Sequence, residues 1–164
     1  MALITLNKLA LPTGTVIQTV NDSDTANTVV SSTTYADTGL SASITPSSTS
    51  SKILVIISQD FQLENTSSTN NLTSGFKLLR DSTTLYTGSD DGNSFGLRYF
   101  NTVGSGSQGM NNVWNYTFFD TPSSTSSLVY KTQCRTYSTD SRFRLNNQIN
   151  GTSKSFITLM EIQG

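Results

Sequence analysis

Hydrophobic and polar residues alternate along much of this chain with the period of a strand. Leu40, Ala42 and Ile44 alternate with Ser41, Ser43 and Thr45, as a half-buried strand requires. Pro46 cannot donate to a ladder, so pairing is expected to stop there, and the polar run Ser47–Ser51 reads as the following loop. Ile53–Ile57 is apolar without interruption, which predicts a strand covered on both faces. Phe156, Thr158, Met160 and Ile162 alternate with Ile157, Leu159 and Glu161, so the last strand also reads as apolar on both sides and belongs in the middle of a sheet.

The same reading predicts strands over Gly14–Val20, Thr33–Asp37, Leu40–Thr45, Lys52–Leu63, Gly75–Arg80, Thr83–Thr87, Phe95–Thr102, Val113–Asp120, Leu128–Tyr137, Phe143–Gln148 and Phe156–Glu161. The clearest hairpin turns at Asp81–Ser82. Helical signals are nearly absent: no convincing run of apolar residues recurs at i, i+3, i+4 and i+7. About ten strands with turn-rich connections make an antiparallel sandwich or barrel, an all-β fold. The polar stretches Asn65–Ser74, Gly88–Ser94 and Gly104–Asn112 read as long exposed loops.

Composition sharpens this picture. The 164 residues amount to one domain, spanning 14–164, preceded by a short arm over 1–13. The arm carries Leu3, Ile4, Leu6, Leu9 and Leu11, too few apolar residues for a domain, so it must pack on this domain or on another chain. A hydrophobic share of 34% is lean. Ser and Thr make up roughly a third of the chain and suit strand faces and turns. With 10 basic against 11 acidic residues the chain is not charged enough to be disordered. Its lean core leaves room for a partner to complete it.

A net charge of −1 argues against general nucleic-acid binding, which needs a large cationic footprint. No apolar run approaches the ~20 residues of a membrane span. The first twelve residues do not read as a secretion signal, so synthesis in a cytosol is expected. Half of the basic residues fall late in the chain. Lys131 and Arg135 share one strand face and Arg142 and Arg144 alternate with Phe143 and Leu145, which suggests a basic outer sheet able to dock on an acidic surface or simply to stay solvated.

Little here points to catalysis. The absence of histidine removes Ser-His triads, Cys-His dyads and His-bearing metal sites. Cys134 stands alone on an apolar strand face and reads as a structural buried thiol. Gly104-Ser-Gly-Ser-Gln-Gly109 matches G-x-G-x-x-G in letters, but a strand pattern follows it where dinucleotide binding needs a helix. Asp22-Ser-Asp24 and Asp90-Asp91-Gly92-Asn93 read as turns, since neither continues into a calcium loop. Asp60 and Glu64 are a formal glycosidase pair with nothing further to support them. No cofactor is expected.

Three segments carry a family resemblance: Gly14–Val20 (GTVIQTV), Gly39–Ser58 (GLSASITPSSTSSKILVIIS) and Ser155–Gly164 (SFITLMEIQG). They resemble a group of small virion proteins of tailed bacteriophages, variously called structural, head-decoration or tail-fibre proteins. The resemblance implies an antiparallel jelly roll similar to tumour-necrosis-factor-like trimers, no catalytic motif, synthesis in the host bacterial cytoplasm and a place on the virion surface. With it comes the expectation of a homotrimer whose interface uses Trp114 and Tyr116 or Tyr130, anchored on the major capsid protein or another virion protein through Leu3, Ile4, Leu6, Leu9 and Leu11. The alternative is a tail-fibre tip that binds a host surface glycan through the three long loops, with Tyr99 or Trp114 stacking on sugar. No nucleic acid and no membrane are expected as partners.

Overall fold

The computed structural model describes residues 11–65, 74–88, 108–147 and 153–164. These form ten strands: β1 (Val16–Asp24), β2 (Thr28–Val30), β3 (Ala36–Ile44), β4 (Lys52–Asn65), β5 (Ser74–Arg80), β6 (Thr83–Thr87), β7 (Gln108–Asp120), β8 (Leu128–Thr136), β9 (Ser141–Leu145) and β10 (Ser155–Ile162). Every pairing is antiparallel, and the described residues contain no helix.

The pairings are nested. β5 pairs with β6, β4 with β7, β3 with β8, β2 with β9 and β1 with β10. The chain is thus one long two-stranded ribbon, and rolling it up adds the contacts β10–β4, β9–β4 and β5–β8. A ribbon rolled in this way is a jelly roll, with two packed sheets and the core between them. Sheet A follows β1-β10-β4-β9-β2 with β7 on the other side of β4; sheet B follows β3-β8-β5-β6. β4 is the spine: β7 runs along nearly its whole length, while β10 occupies one half of its opposite edge and β9 the other.

The core is built by the inward set of each alternation. Leu40, Ala42 and Ile44 of β3 and Leu128 and Tyr130 of β8 face Ile53, Val55 and Ile57 of β4 and Ile157 and Leu159 of β10, all nearly inaccessible to water. At about 1.5–3 kcal/mol for each large side chain removed from water, this set dominates stability. An aromatic cluster fills the β7 side. Phe61 meets Phe76 and Phe143 edge-on at 5.3 and 5.5 Å, and Trp114 stacks on Phe76 at 4.6 Å.

A chain of hydrogen bonds crosses between the sheets within this core. Thr132 donates to Gln59 Oε1 at 2.7 Å, and Gln59 Nε2 donates to Ser155 Oγ at 3.2 Å. Ser155 in turn donates to Asn146 Oδ1 at 2.6 Å, and Asn146 Nδ2 donates to Asp24 Oδ2 at 3.1 Å. The buried polar groups of this chain of bonds are tolerated because each finds a partner within it.

Three sequence expectations change. Thr33–Asp37 and Leu40–Thr45 are not two strands; β3 is continuous from Ala36 and takes up a register shift between Asp37 and Ser41, where Gly39 adopts φ +96°. Gly104–Asn112 is not loop throughout, because Gln108–Asn112 already pairs with Phe61–Asn65. Ile53–Ile57 is covered on one face only: Ile53, Val55 and Ile57 are buried, while Ile56 is 38% exposed and Leu54 half-buried. The expected strand Phe95–Thr102, with Tyr99, lies outside the described residues.

Candidate assembly surface

Glu161 lies on the inward face of β10, fully buried, and anchors one end of the sandwich. Its Oε1 accepts the Ser47 backbone N–H at 2.7 Å, the Ser47 hydroxyl at 2.6 Å and the Ser51 hydroxyl at 2.7 Å; Oε2 accepts the Gln18 side-chain amide at 2.6 Å. Burial opposes its charge, but the donors from Ser47, Ser51 and Gln18 outweigh it and hold the carboxyl below its ordinary value. The inward position of Glu161 sends Phe156, Thr158, Met160 and Ile162 to the outside of sheet A.

That outside face is the candidate surface. Register places Thr19, Met160, Leu54 and Phe119 in one row across four strands. Asn21, Thr158, Ile56 and Thr117 make the next row, and Ser23, Phe156, Ser58 and Asn115 the third. Phe119 is 50% exposed and Phe156 41%. Lys52 and Lys154 flank the face, their ammonium groups 5.7 and 5.1 Å from the Phe119 and Phe156 ring centres. Of the exposed large hydrophobic residues described, Val16, Val29, Ile56, Val113, Phe119 and Phe156 belong to sheet A and Val129 alone to sheet B.

The outside of sheet B has a different character. Asp37 takes Lys131 at 2.9 Å and the Gln133 amide at 2.7 Å, and burial of the Asp37 carboxyl is overcome by these two partners, so its pKa falls below the ordinary value. Lys77 lies 4.1 Å over the Tyr35 ring, and the Arg135 guanidinium sits 4.9 Å from Tyr35 and 4.5 Å from Tyr137. This is a surface suited to water.

The basic residues do not form one sheet. Lys131 and Arg135 stand on β8 of sheet B, whereas Arg142 and Arg144 stand on β9 of sheet A and both donate to Glu64. Both arginines hold the Glu64 carboxyl below its ordinary value against the opposing effect of burial. A glycosidase acid needs the opposite shift.

The proposed interface residues fall in three different settings. Tyr130 is fully buried, with its hydroxyl donating to Asp120 Oδ2 at 2.7 Å, so its ring belongs to the protomer's own core and offers nothing to another copy. Trp114 is 8% exposed and spent on Phe76. Tyr116 is half-buried, its ring 4.3 Å from Tyr86, and burial raises both hydroxyl pKa values. Alternation groups Trp114 with Tyr116 on one strand and Tyr130 with Leu128 and Cys134 on another, but cannot tell the inside of the sandwich from the outside. Of the arm residues, Leu11 is half-buried; Leu3, Ile4, Leu6 and Leu9 lie outside the described residues, as do most of the three loops.

The other chemical candidates have local roles. Cys134 is fully buried, and burial pushes its thiol up, away from the reactive thiolate. Asp22-Ser-Asp24 is not a turn but the end of β1, paired with Ser155–Ile157; Asp22 Oδ1 accepts the Ser23 N–H within the strand and Asp24 Oδ1 the Ala26 N–H just beyond it. Gly109 opens a strand, and a Cβ there would meet Gln62 Nε2 at 2.8 Å. Among the described residues no group of three metal-ligating side chains occurs. The signal the sequence did offer for the candidate face was the double-sided apolar character of β4 and β10.

Among the solved structures similar to the chain, two serve as examples, both at a low TM-score. One is the crystal structure of the infectious bursal disease virus VP2 subviral particle, at 14% identity and TM-score 0.32, covering 100% of this chain and 37% of that one. The other is the structure of infectious bursal disease virus Gt strain, at 12% identity and TM-score 0.36, covering 100% of this chain and 43% of that one. The chain therefore spans less than half the length of either. No protein-family model matches the chain, and neither does any curated protein.

Proposed function

We propose that this chain is a non-enzymatic structural protein of a virus particle, a homotrimeric head-decoration protein that binds and stabilises the capsid of a tailed phage. The observation that carries the reading is the contrast between the two outer faces: sheet A presents three rows with Leu54, Ile56, Phe119, Phe156 and Met160, while sheet B presents paired charges. The other seven residues of those rows are Thr, Asn or Ser, so the face is mixed, and it is the exposed Ile56, Phe119 and Phe156 among them that mark a surface another molecule covers. The resemblance of Gly14–Val20, Gly39–Ser58 and Ser155–Gly164 to virion proteins supplies the setting.

In this reading the arm over 1–13 attaches the trimer to the major capsid protein, and many weak contacts repeated on the head lattice add up to firm attachment. Mixing purified protein with undecorated capsids tests it. Wild type should co-sediment with capsids; a variant lacking residues 1–13 should stay in the supernatant while keeping the unfolding midpoint of the wild type. Co-sedimentation of the truncated protein removes the anchoring role, and failure of the full chain to bind removes the decoration role.

A further inference from the structure

We propose that Arg142 and Arg144, held side by side by Glu64, form a binding site for an oxyanion where β9 lies beside β4. The proposal stands apart from the assembly reading and uses none of its apolar residues.

Register makes the cluster. Glu64 pairs with Arg142 and Gln62 with Arg144 across β4 and β9, and Gly109 and Asn111 of β7 flank the same two β4 residues on the other side. Phe143 and Leu145 turn inward and are fully buried, so the arginines that alternate with them turn outward together. Both converge on one carboxylate. Arg142 Nε donates to Glu64 Oε2, and Arg144 Nε donates to Glu64 Oε1 at 2.8 Å. Two guanidinium groups against one carboxylate leave an excess of positive charge, in which the cations repel each other at short range. Asp60, the next acid along the outward side of β4, makes no ion pair with either arginine, and among the described residues neither meets a second acid.

Donors outnumber acceptors here as well. Each guanidinium meets Glu64 through its Nε, so its Nη atoms keep their N–H groups for another acceptor. The side chains remain 33% and 28% exposed, open to a ligand from solution. Gln62, in the row of Arg144, adds a donor nearby. Its Oε1 accepts the Asn147 amide, which turns Nε2 toward Gly109, where a Cβ would stand 2.8 Å from that nitrogen. Among the described residues nothing accepts from Gln62 Nε2. A second anion laid across the Nη groups would alternate with Glu64 and the two cations. An oxyanion suits this better than chloride, because it offers several oxygens to a rigid, planar fork of donors. The ligand class is therefore an oxyanion, free in solution or carried as the carboxylate of an acidic sugar.

Titration of the isotope-labelled protein, followed by the Nε–H resonances of Arg142 and Arg144 at constant ionic strength in sodium chloride, tests the site. Sodium sulfate and sodium glucuronate are the probes. At least one should give saturable shifts of both resonances at millimolar concentration. Saturation by sulfate alone marks a free inorganic ion as the ligand, and tighter binding of glucuronate marks a sugar carboxylate. Arg144→Lys keeps the charge and loses the fork, and should weaken binding about tenfold. Arg142→Lys makes the same test from the other side, and an unfolding midpoint near that of the wild type shows that a variant is folded. Shifts that stay linear for both probes, or saturable binding that the folded lysine variants keep at wild-type strength, overturn the site.

Discussion

Ser47 gives Glu161 both its backbone N–H and its hydroxyl, at 2.7 and 2.6 Å, and so ties the loop after β3 to the last strand of the sandwich. Ser51 and Gln18 complete the carboxylate's partners. The three segments that resemble virion proteins therefore meet at one buried group, Gln18 from the first, Ser47 and Ser51 from the second, Glu161 from the third. Glu161→Ala should destabilise the protein by about 2–3 kcal/mol, because the buried Ser51 hydroxyl loses its acceptor at about 1–3 kcal/mol while the more accessible Ser47 and Gln18 donors lose theirs at a smaller cost. Glu161→Gln, which keeps one accepting oxygen, should cost about 1 kcal/mol. Urea unfolding at neutral pH measures both.

Acid stability follows from the same carboxylate. Donors hold the folded-state pKa of Glu161 below its ordinary 4.5, and Asp37 and Glu64 are likewise lowered by their partners. A depressed carboxylate stabilises the fold above the unfolded-state value and loses that contribution as pH falls through the folded-state one. The unfolding midpoint should accordingly stay level from neutrality down to about pH 5 and fall steeply below pH 4.5. Glu161→Gln should flatten part of that fall, and a profile as steep as that of the wild type would show that Glu161 contributes none of it.

Strand positions were legible because side-chain alternation is a local property. Leu40–Ile44, Lys52–Leu63, Thr83–Thr87 and Leu128–Thr136 stand close to where their periodicity placed them, and an all-β sandwich or barrel followed; the jelly roll came with the family resemblance. What alternation cannot give is which face turns inward when both are apolar. Periodicity put Glu161 on one face with Ile157 and Leu159 without saying which way that face turns; it turns inward, because donors in the Ser47–Ser51 loop wait for the carboxylate. β2 escaped notice because three residues, Thr28–Val30, are too short to show a period. The outer face of sheet A proposed for assembly was legible only indirectly, as two strands with apolar residues on both faces.

Tyr130 provides a direct test of inside against outside. Asp120 receives its hydroxyl at 2.7 Å and Arg80 Nη1 at 2.6 Å, and burial together with the Asp120 hydrogen bond raises the Tyr130 pKa. Tyr130→Phe should cost about 1 kcal/mol, one buried hydrogen bond, with no change in oligomeric state. Asp120→Ala should cost about 3–5 kcal/mol, since it strands a cation and a phenol that are largely withdrawn from water. Chemical denaturation with parallel light scattering separates the two effects, and dissociation of the Tyr130→Phe variant would return this residue to the interface.

Gly39 sits where β3 slips register against β8, at φ +96°, a conformation that side-chain-bearing residues rarely adopt. A Cβ at this position would stand 2.9 Å from Asp24 Oδ2, the same oxygen that accepts the Asn146 amide. Gly39→Ala therefore meets two costs: backbone strain of about 1–3 kcal/mol, and displacement of the Asp24 carboxylate from the hydrogen-bond chain that runs through Ser155 to Gln59. Because that chain links the two sheets, the variant should lose stability beyond the strain alone. Asp24→Ala on its own removes the clash as well as the hydrogen bond, so the double variant Gly39→Ala, Asp24→Ala should be more stable than the sum of the single effects predicts. A double-mutant cycle by urea denaturation measures the coupling. Strict additivity would mean that the strain at Gly39 is purely local and that Asp24 does not feel it.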